Sequence, residues 1–99
     1  MDAVLINTFR VPAGREEEFI AAWSEADALL RANDGYTSTI LHQALAPDAG
    51  HTFVNVAQLG SVDAWRAAVS TAEFSAIARR MAEFSPSPAL YRVVVAHGA

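Results

Sequence analysis

The sequence predicts a single α+β domain over residues 1–99, with a ferredoxin-like βαββαβ order and a four-stranded antiparallel sheet covered by helices on one face. Three observations predict this fold. Segments rich in β-forming residues alternate with segments that carry a helical apolar period, and the connections contain Pro, Gly, Asn and Asp. The chain also has no internal repeat and no long linker, and its length fits one domain.

Four segments carry the strand signal. Each is rich in β-branched, aromatic or other apolar residues and is bounded by turn-forming residues. The predicted strands cover residues 3–11, 36–45, 51–59 and 89–96. Residues 46–50, Ala-Pro-Asp-Ala-Gly, join the middle two strands as a hairpin, which makes these strands antiparallel neighbours.

Between the strands the apolar period becomes that of a helix. Residues 15–32 place apolar side chains on one face, and three Glu residues occupy the first turn, where the helix dipole favours negative charge. A second helical region follows Ser61, a predicted N-cap, and is broken near residue 70, where Ser70 or Thr71 caps another piece. The apolar positions of the three pieces are Phe19, Trp23, Ala26 and Leu30; Val62, Trp65 and Val69; and Phe74, Ile77, Ala78 and Met81.

Both faces of the predicted sheet are largely apolar. In the first strand Leu5 and Phe9 share one face, whereas Val4 and Ile6 share the other. The helices cover only one face, so the other would expose on the order of several hundred Å² of apolar surface, about the limit for a monomer. We therefore expect a homodimer in which two sheets pack face to face. A covering partner of another kind, or a different strand register, is the alternative.

The composition excludes several classes of function. There is no Cys, which excludes disulfides, thiolate catalysis and Cys-ligated metal centres. All basic residues are Arg, they are scattered, and the net charge is −4, so we expect no nucleic-acid partner. Neither a signal-peptide pattern nor an apolar run of membrane-spanning length occurs, so we expect a cytoplasmic protein with no membrane partner.

Two asparagines interrupt apolar strand faces. Asn7 lies between Leu5 and Phe9, and Asn55 lies between Phe53 and Ala57. A buried amide without partners costs about 1–3 kcal/mol, and Asn is depleted from strands. Each side chain is therefore either satisfied by neighbouring backbone or water, or a donor that lines a pocket between sheet and helices.

Other candidate site residues are isolated in the sequence. His42 lies in the middle of the second strand and could accept a proton, although an exposed strand His is the simpler interpretation. Trp23 and Trp65 could pack in the core or form the wall of a pocket for a flat aromatic ligand. Arg79 lies on the last helical piece and points either inward or to solvent. The His residues lack metal-ligand spacing, so no metal site is expected.

Several segments together resemble the antibiotic biosynthesis monooxygenase domain, a family with a dimeric α/β-barrel fold. The resemblance spans nearly the whole chain. It is carried by Val4-Leu5-Ile6-Asn7, the run from Pro12 to Phe19, Gly35-Tyr36, the strand from Phe53 to Gln58, and Ser61-Val62-Asp63-Ala64-Trp65. One branch of this family comprises cofactor-independent monooxygenases that oxidise anthrones or related phenols to quinones, and another degrades haem.

The resemblance to the quinone-forming branch implies a function. An anthrone or phenol would bind near Trp23, Trp65 and Phe53, with Arg79 matching an Arg of that branch. Asn55 and Asn7 would bind its oxygens, and His42 or solvent would remove a proton. The substrate anion would then reduce dioxygen directly, so no cofactor is expected.

The haem-degrading branch is the alternative. Asn7 matches the Asn of that branch on the first strand, but Val69 stands at its Trp position and Arg79 at the position of its iron-binding His. The iron ligand is thus missing from the expected place. A non-oxidative cyclase or isomerase, or a small-molecule binding module on the same fold, also stays open.

Overall fold

The computed structural model describes residues 3–98. Within that range the chain forms four strands, three α-helices and one 3-10 turn. The strands are β1 (Ala3–Phe9), β2 (Ser38–Gln43), β3 (Phe53–Leu59) and β4 (Ser87–Tyr91), the helices are α1 (Glu16–Ala32), α2 (Val62–Val69) and α3 (Ala72–Met81), and the 3-10 turn covers Ala82–Phe84. The predicted βαββαβ order is confirmed, with the second helical region divided into α2 and α3.

The strands form one antiparallel sheet in the order β2-β3-β1-β4. This is the ferredoxin-like arrangement that the sequence predicts. The central pair, β1 and β3, stacks four cross-strand pairs on the face towards the helices: Ala3 with Leu59, Leu5 with Ala57, Asn7 with Asn55, and Phe9 with Phe53. The asparagine pair therefore lies between apolar pairs on both sides.

Side-chain caps fix where the helices of the second region begin. The Ser61 hydroxyl accepts a hydrogen bond from the backbone N–H of Ala64 at 3.1 Å. Thr71 rather than Ser70 caps α3, because its hydroxyl accepts from the N–H of Phe74 at 3.1 Å. None of these helices, within residues 3–98, has the length and apolar character needed to cross a membrane.

The helix-facing side of the sheet holds two separate apolar clusters. One is centred on Leu5, Leu30, Ala57 and Leu59. The other is aromatic, since Phe19 has its ring centroid 4.8 Å from that of Phe9, 4.7 Å from that of Phe53 and 5.3 Å from that of Phe84. The two clusters contain different pairs of the β1–β3 register, and the Asn7–Asn55 pair falls between them.

The last strand differs from its prediction. β4 begins at Ser87 and ends at Tyr91, whereas residues 89–96 were expected. Pro88 lies within it, which an edge strand tolerates because one side of the strand needs no ladder hydrogen bonds. Tyr91 pairs with Val4, and Ala3 is the one described residue of β1 beyond that pair. Residues 93–96 therefore have no described strand beside them. The side chains of Val93, Val94 and Val95 are exposed by 63%, 84% and 85%.

Candidate active site

A cavity of about 370 Å³ lies between the sheet and the helices, in the space that separates the two apolar clusters. Its wall is mostly apolar and comes from β1, β3, β4, the three helices and the segments that precede β2 and β4. Six lining residues carry polar side-chain atoms: Asn7, Trp23, Asp27, Tyr36, Asn55 and Trp65. A mostly apolar hollow with a few converging polar groups is typical of a small-molecule site.

The two asparagines form the polar part of the cavity floor. Their Cα atoms are paired in the β1–β3 register, so the two side chains emerge next to each other on one face. The Asn55 Oδ1 accepts a hydrogen bond from the Thr39 hydroxyl at 2.5 Å, and the Asn7 Oδ1 accepts from the backbone N–H of Ser87 at 2.9 Å. Because both carbonyl oxygens are engaged, the adjacent NH₂ groups remain as donors for a ligand oxygen.

Trp65 lines the cavity from α2. Its indole N–H is, within residues 3–98, the one buried side-chain polar group that has no hydrogen-bond partner. Leaving such a group unsatisfied costs about 1–3 kcal/mol. Trp65 therefore lines the cavity through atoms other than this nitrogen.

Asp27 and Tyr36 form a hydrogen-bonded pair at the α1 side of the cavity. The Tyr36 hydroxyl donates to Oδ1 of Asp27, and Nε of Arg31 donates to Oδ2 at 3.1 Å. The Asp27 side chain is only 15% exposed. Burial, and then the hydrogen bond to Asp27, raise the pKa of Tyr36 far above its usual range. The phenol therefore stays protonated at neutral pH and acts as a donor.

A tight turn after α1 brings Tyr36 back to this position. Asp34 adopts a left-handed conformation with φ of 55°, and the N–H of Gly35 donates to the carbonyl of Leu30 at 2.6 Å. A Cβ at Gly35 would lie 3.0 Å from both the carbonyl oxygen and Cδ2 of Leu30. Glycine is thus needed for close approach here, although the residue with the positive φ is Asp34.

The structure brings four of the predicted site residues together and separates three. Asn7, Asn55, Trp23 and Trp65 line the cavity. His42 does not, because Thr39 and Leu41 take the helix-facing positions of β2 and alternation turns His42 to the opposite, exposed face. There its Nδ1 lies 3.1 Å from the backbone oxygen of Val54.

The other two separated residues are Phe53 and Arg79. Phe53 faces the helices, but it is buried in the aromatic cluster against Phe19 and does not line the cavity. Arg79 is exposed on α3 and also lies outside the cavity wall. The neighbouring Arg80 hydrogen-bonds to Glu25 and so joins α3 to α1.

Three residues of the site, Asp27, Tyr36 and Thr39, were not predicted from the sequence. The signal for Asp27 was present, since it lies four residues after Trp23 and three before Leu30, on the apolar stripe of α1. A carboxylate on such a stripe requires a partner, and the Tyr at the following turn supplies one. Thr39 gave no signal, because Thr is ordinary in a strand.

The described residues offer no cluster suited to a metal ion. Within residues 3–98 there is no group of three or more His, Cys, Asp or Glu side chains placed to hold one. The residues that line the cavity likewise include neither His nor Cys, and the Tyr36 phenol is engaged with Asp27.

Comparison with known proteins identifies the family. The family model for antibiotic biosynthesis monooxygenases matches residues 3–80. The chain belongs to this family. The resemblance seen in the sequence is thereby confirmed. The matched region also contributes most of the cavity wall, because only the lining residues from Met81 onward lie beyond it. No curated protein sequence matches the chain significantly.

Solved structures of similar fold include proteins described as oxygenases. A candidate monooxygenase from Shewanella loihica is 31% identical, with 96% of each chain covered and a TM-score of 0.79. SnoaB, a cofactor-independent oxygenase from Streptomyces nogalater, is 21% identical, with 96% of this chain and 95% of SnoaB covered and a TM-score of 0.80. A dimeric ferredoxin-like protein from Thermobifida fusca is 22% identical, with 94% of this chain and 92% of the other chain covered and a TM-score of 0.70. The two likenesses below 25% identity support the fold alone.

Proposed function

We propose that this antibiotic biosynthesis monooxygenase domain is a cofactor-independent monooxygenase that oxidises an electron-rich aromatic, of the anthrone or phenol type, to a quinone with dioxygen. The observation that carries the proposal is the pair Asn7 and Asn55, whose side-chain oxygens are held by Ser87 and Thr39 while their NH₂ groups remain free in an apolar cavity. Paired amide donors in a site shielded from water stabilise an oxygen that becomes negative during reaction.

The proposed reaction needs no group beyond the substrate and dioxygen. Loss of a proton from the anthrone gives an anion whose charge rests on the oxygen bound by Asn7 and Asn55. The anion transfers electrons to dioxygen, a carbon–oxygen bond forms, and the resulting hydroperoxide loses water to give the quinone. One oxygen atom thus enters the product and the other leaves as water. Trp23 and Trp65 supply flat walls for the ring system.

Oxygen uptake with a panel of anthrones tests the proposal. Asn55→Ala and Asn7→Ala should each lower kcat by about 10²–10³-fold, the usual effect of deleting one such donor. Gln58→Ala is the matched control, because Gln58 is an exposed amide on the same strand as Asn55 and lies on the other face of the sheet. Trp65→Phe removes the unpartnered N–H but keeps an aromatic wall.

The possible outcomes separate the alternative functions. No acceleration of oxygen uptake over buffer, with saturable anthrone binding, would contradict the proposal and favour a binding module. A product formed without oxygen consumption would favour a cyclase or isomerase. Normal kcat in both asparagine variants would exclude the amide pair from the chemistry.

The cavity residues do not fit the haem alternative. An axial ligand would have to come from the wall, which offers neither imidazole nor thiolate among the described residues. The Tyr36 phenol already donates to Asp27, and its raised pKa disfavours the phenolate that would bind iron. Titration with hemin should therefore give no sharp Soret band of a ligated protein complex. Appearance of such a band at equimolar hemin would reverse this conclusion.

The proposal includes a homodimer formed through the outer face of the sheet. Ile40 is 62% exposed on that face, and the three exposed valines follow directly after β4. The same fold occurs in the dimeric protein from Thermobifida fusca. A second copy of the chain would cover these exposed apolar side chains.

Sedimentation velocity tests the dimer. The wild type should sediment as a dimer at micromolar concentration, and Val94→Asp should shift it towards the monomer. Ile20→Asp is the control, because Ile20 is exposed to 41% on α1, on the opposite side of the sheet. A wild-type monomer, or equal behaviour of the two variants, would contradict this arrangement.

A further inference from the structure

We propose that the carboxylate of Asp27 is the proton acceptor of the cavity, and that Tyr36 and Arg31 position it. This inference rests on the proposed function, because it assigns the base that starts the same reaction. It replaces His42, which lies on the opposite face of the sheet.

The titratable side chains that line the cavity, within the described residues, belong to Asp27 and Tyr36. Among the described residues that line the cavity there is one carboxylate and no His. The other titratable group is Tyr36, and its phenol is held protonated by burial and by Asp27. The remaining polar groups are the Asn7 and Asn55 amides and the indoles of Trp23 and Trp65, which do not accept protons at neutral pH.

The contacts of Asp27 leave room for a substrate proton. A carboxylate has about four acceptor positions, and two are used here, one by the Tyr36 hydroxyl and one by Nε of Arg31. The two donors bind different oxygens, so they hold the carboxylate plane in one orientation. Arg31 forms a salt bridge with Asp27. The Arg31 side chain is 62% exposed, whereas the Asp27 side chain is 15% exposed.

The charged groups on neighbouring elements are engaged elsewhere or lie outside the wall. On α3, which packs against α1, Arg80 binds Glu25 rather than Asp27. Arg79 on α3 and Arg66 on α2 are exposed and do not line the cavity. Asp27 therefore has Tyr36 and Arg31 as its polar partners in the described part of the chain.

The position of Asp27 complements that of the asparagines. Asp27 is on α1, which covers the helix-facing side of the sheet, whereas Asn7 and Asn55 are on the sheet itself, so a flat ligand between them has the base on one side and the donors on the other. The C–H bond beside the ligand carbonyl, or a phenol O–H, breaks and its proton moves to Asp27. The electron pair moves to the ligand oxygen bound by the amides. A carboxylate suffices as a base when donors stabilise the enolate in this way.

Anaerobic hydrogen exchange isolates this step from oxygen chemistry. Anthrone is incubated with the protein in D₂O under nitrogen, and loss of the methylene proton signal is followed by NMR. The wild type should accelerate exchange, and Asp27→Asn should lose that acceleration by about 10²-fold or more, the usual contribution of a general base. Asp27→Glu should recover part of it. Asp34→Asn is the matched control, because Asp34 is exposed and its left-handed backbone suits Asn.

Anthrone binding and thermal unfolding of each variant show that it is folded. Exchange as fast in Asp27→Asn as in the wild type overturns the inference, and so does a wild type that binds anthrone without accelerating exchange. Oxygen uptake in air then decides separately whether the proposed monooxygenase function stands. Accelerated exchange that depends on Asp27, without oxygen uptake, would support Asp27 as the base and contradict the proposed monooxygenase function.

Discussion

The hydrogen bond between Thr39 and Asn55 provides a test of the amide pair that leaves both asparagines in place. Thr39→Val removes one hydroxyl from a side chain of almost unchanged shape. The Thr39 Oγ1 lies 2.5 Å from Oδ1 of Asn55, and Asn55 is only 6% exposed. Without this donor the Asn55 oxygen loses its described partner. An unsatisfied buried acceptor costs about 1–3 kcal/mol, which corresponds to a fall in Tm of about 4–8 °C for each kcal/mol in a domain of this size.

The same change should lower activity through orientation. The Asn55 amide is then free to rotate and to point its oxygen, rather than its NH₂ group, at the ligand. Complete loss of one oxyanion donor costs about 10²–10³-fold in kcat, so partial misorientation should cost about 10–10²-fold. Since the donor acts mainly on the developing anion, kcat and kcat/KM should fall together.

Thr39→Ser is the control, because it keeps the hydroxyl and removes only a methyl group. Oxygen uptake and thermal unfolding are measured at one protein concentration, since association of subunits also affects Tm. The expected order of kcat is wild type, then Thr39→Ser close behind, then Thr39→Val. Wild-type kcat in Thr39→Val, or equal losses in the two variants, would refute the assigned role of the hydroxyl.

Three further predictions concern stability. Phe19→Ala should lower the free energy of unfolding in urea by about 3–5 kcal/mol, because Phe19 is fully buried among three aromatic rings; a loss below 1 kcal/mol would contradict this packing. Gly35→Ala should destabilise the fold by about 1–3 kcal/mol, since its Cβ would meet Leu30 at 3.0 Å. Arg80 holds the pKa of Glu25 below its ordinary value of 4.5 by hydrogen bonding, so this exposed pair stabilises the fold above that pH and its effect is lost as pH falls through the lowered pKa. The small stability difference between wild type and Arg80→Gln should therefore be present at pH 7 and diminish as acid protonates Glu25, and a difference that does not change with pH would argue against it.

The sequence predicts the order of elements well because apolar periodicity reports burial directly. The 3.6-residue period of α1 corresponds to one buried face with Phe19, Ala22 and Leu30, and alternate residues of β3 are buried from Phe53 to Leu59. The boundaries of β4 were wrong because Pro88 reads as a breaker, and only the sheet order shows that it lies on an edge. That order depends on long-range pairing, which no local pattern contains.

The site was predicted where one strand's alternation was enough and missed where two elements had to meet. Asn7 and Asn55 interrupt apolar faces, so alternation placed Asn7 on the face of Leu5 and Phe9, and Asn55 on the face of Phe53 and Ala57. His42 was assigned a role by residue type, although the alternation of β2 turns it to the outer face. Asp27 acquires its meaning only through Tyr36, and the turn that brings the two together depends on Asp34 adopting a positive φ.

The register of β1 against β3 links the fold to the proposed chemistry. A shift of one residue in the pairing of one strand would turn its asparagine to the outer face. The apolar residues on the same face of that strand would turn outward as well. The burial of Leu5, Ala57 and the Phe9–Phe53 pair therefore fixes the amide donors as firmly as it fixes the core. The helices contribute the rest of the wall, including Trp65 and the carboxylate of Asp27. Their apolar lining positions do not depend on the pairing of the strands. Changes of ligand shape should consequently be tolerated on α2 and α3, while the donors on the sheet stay the same.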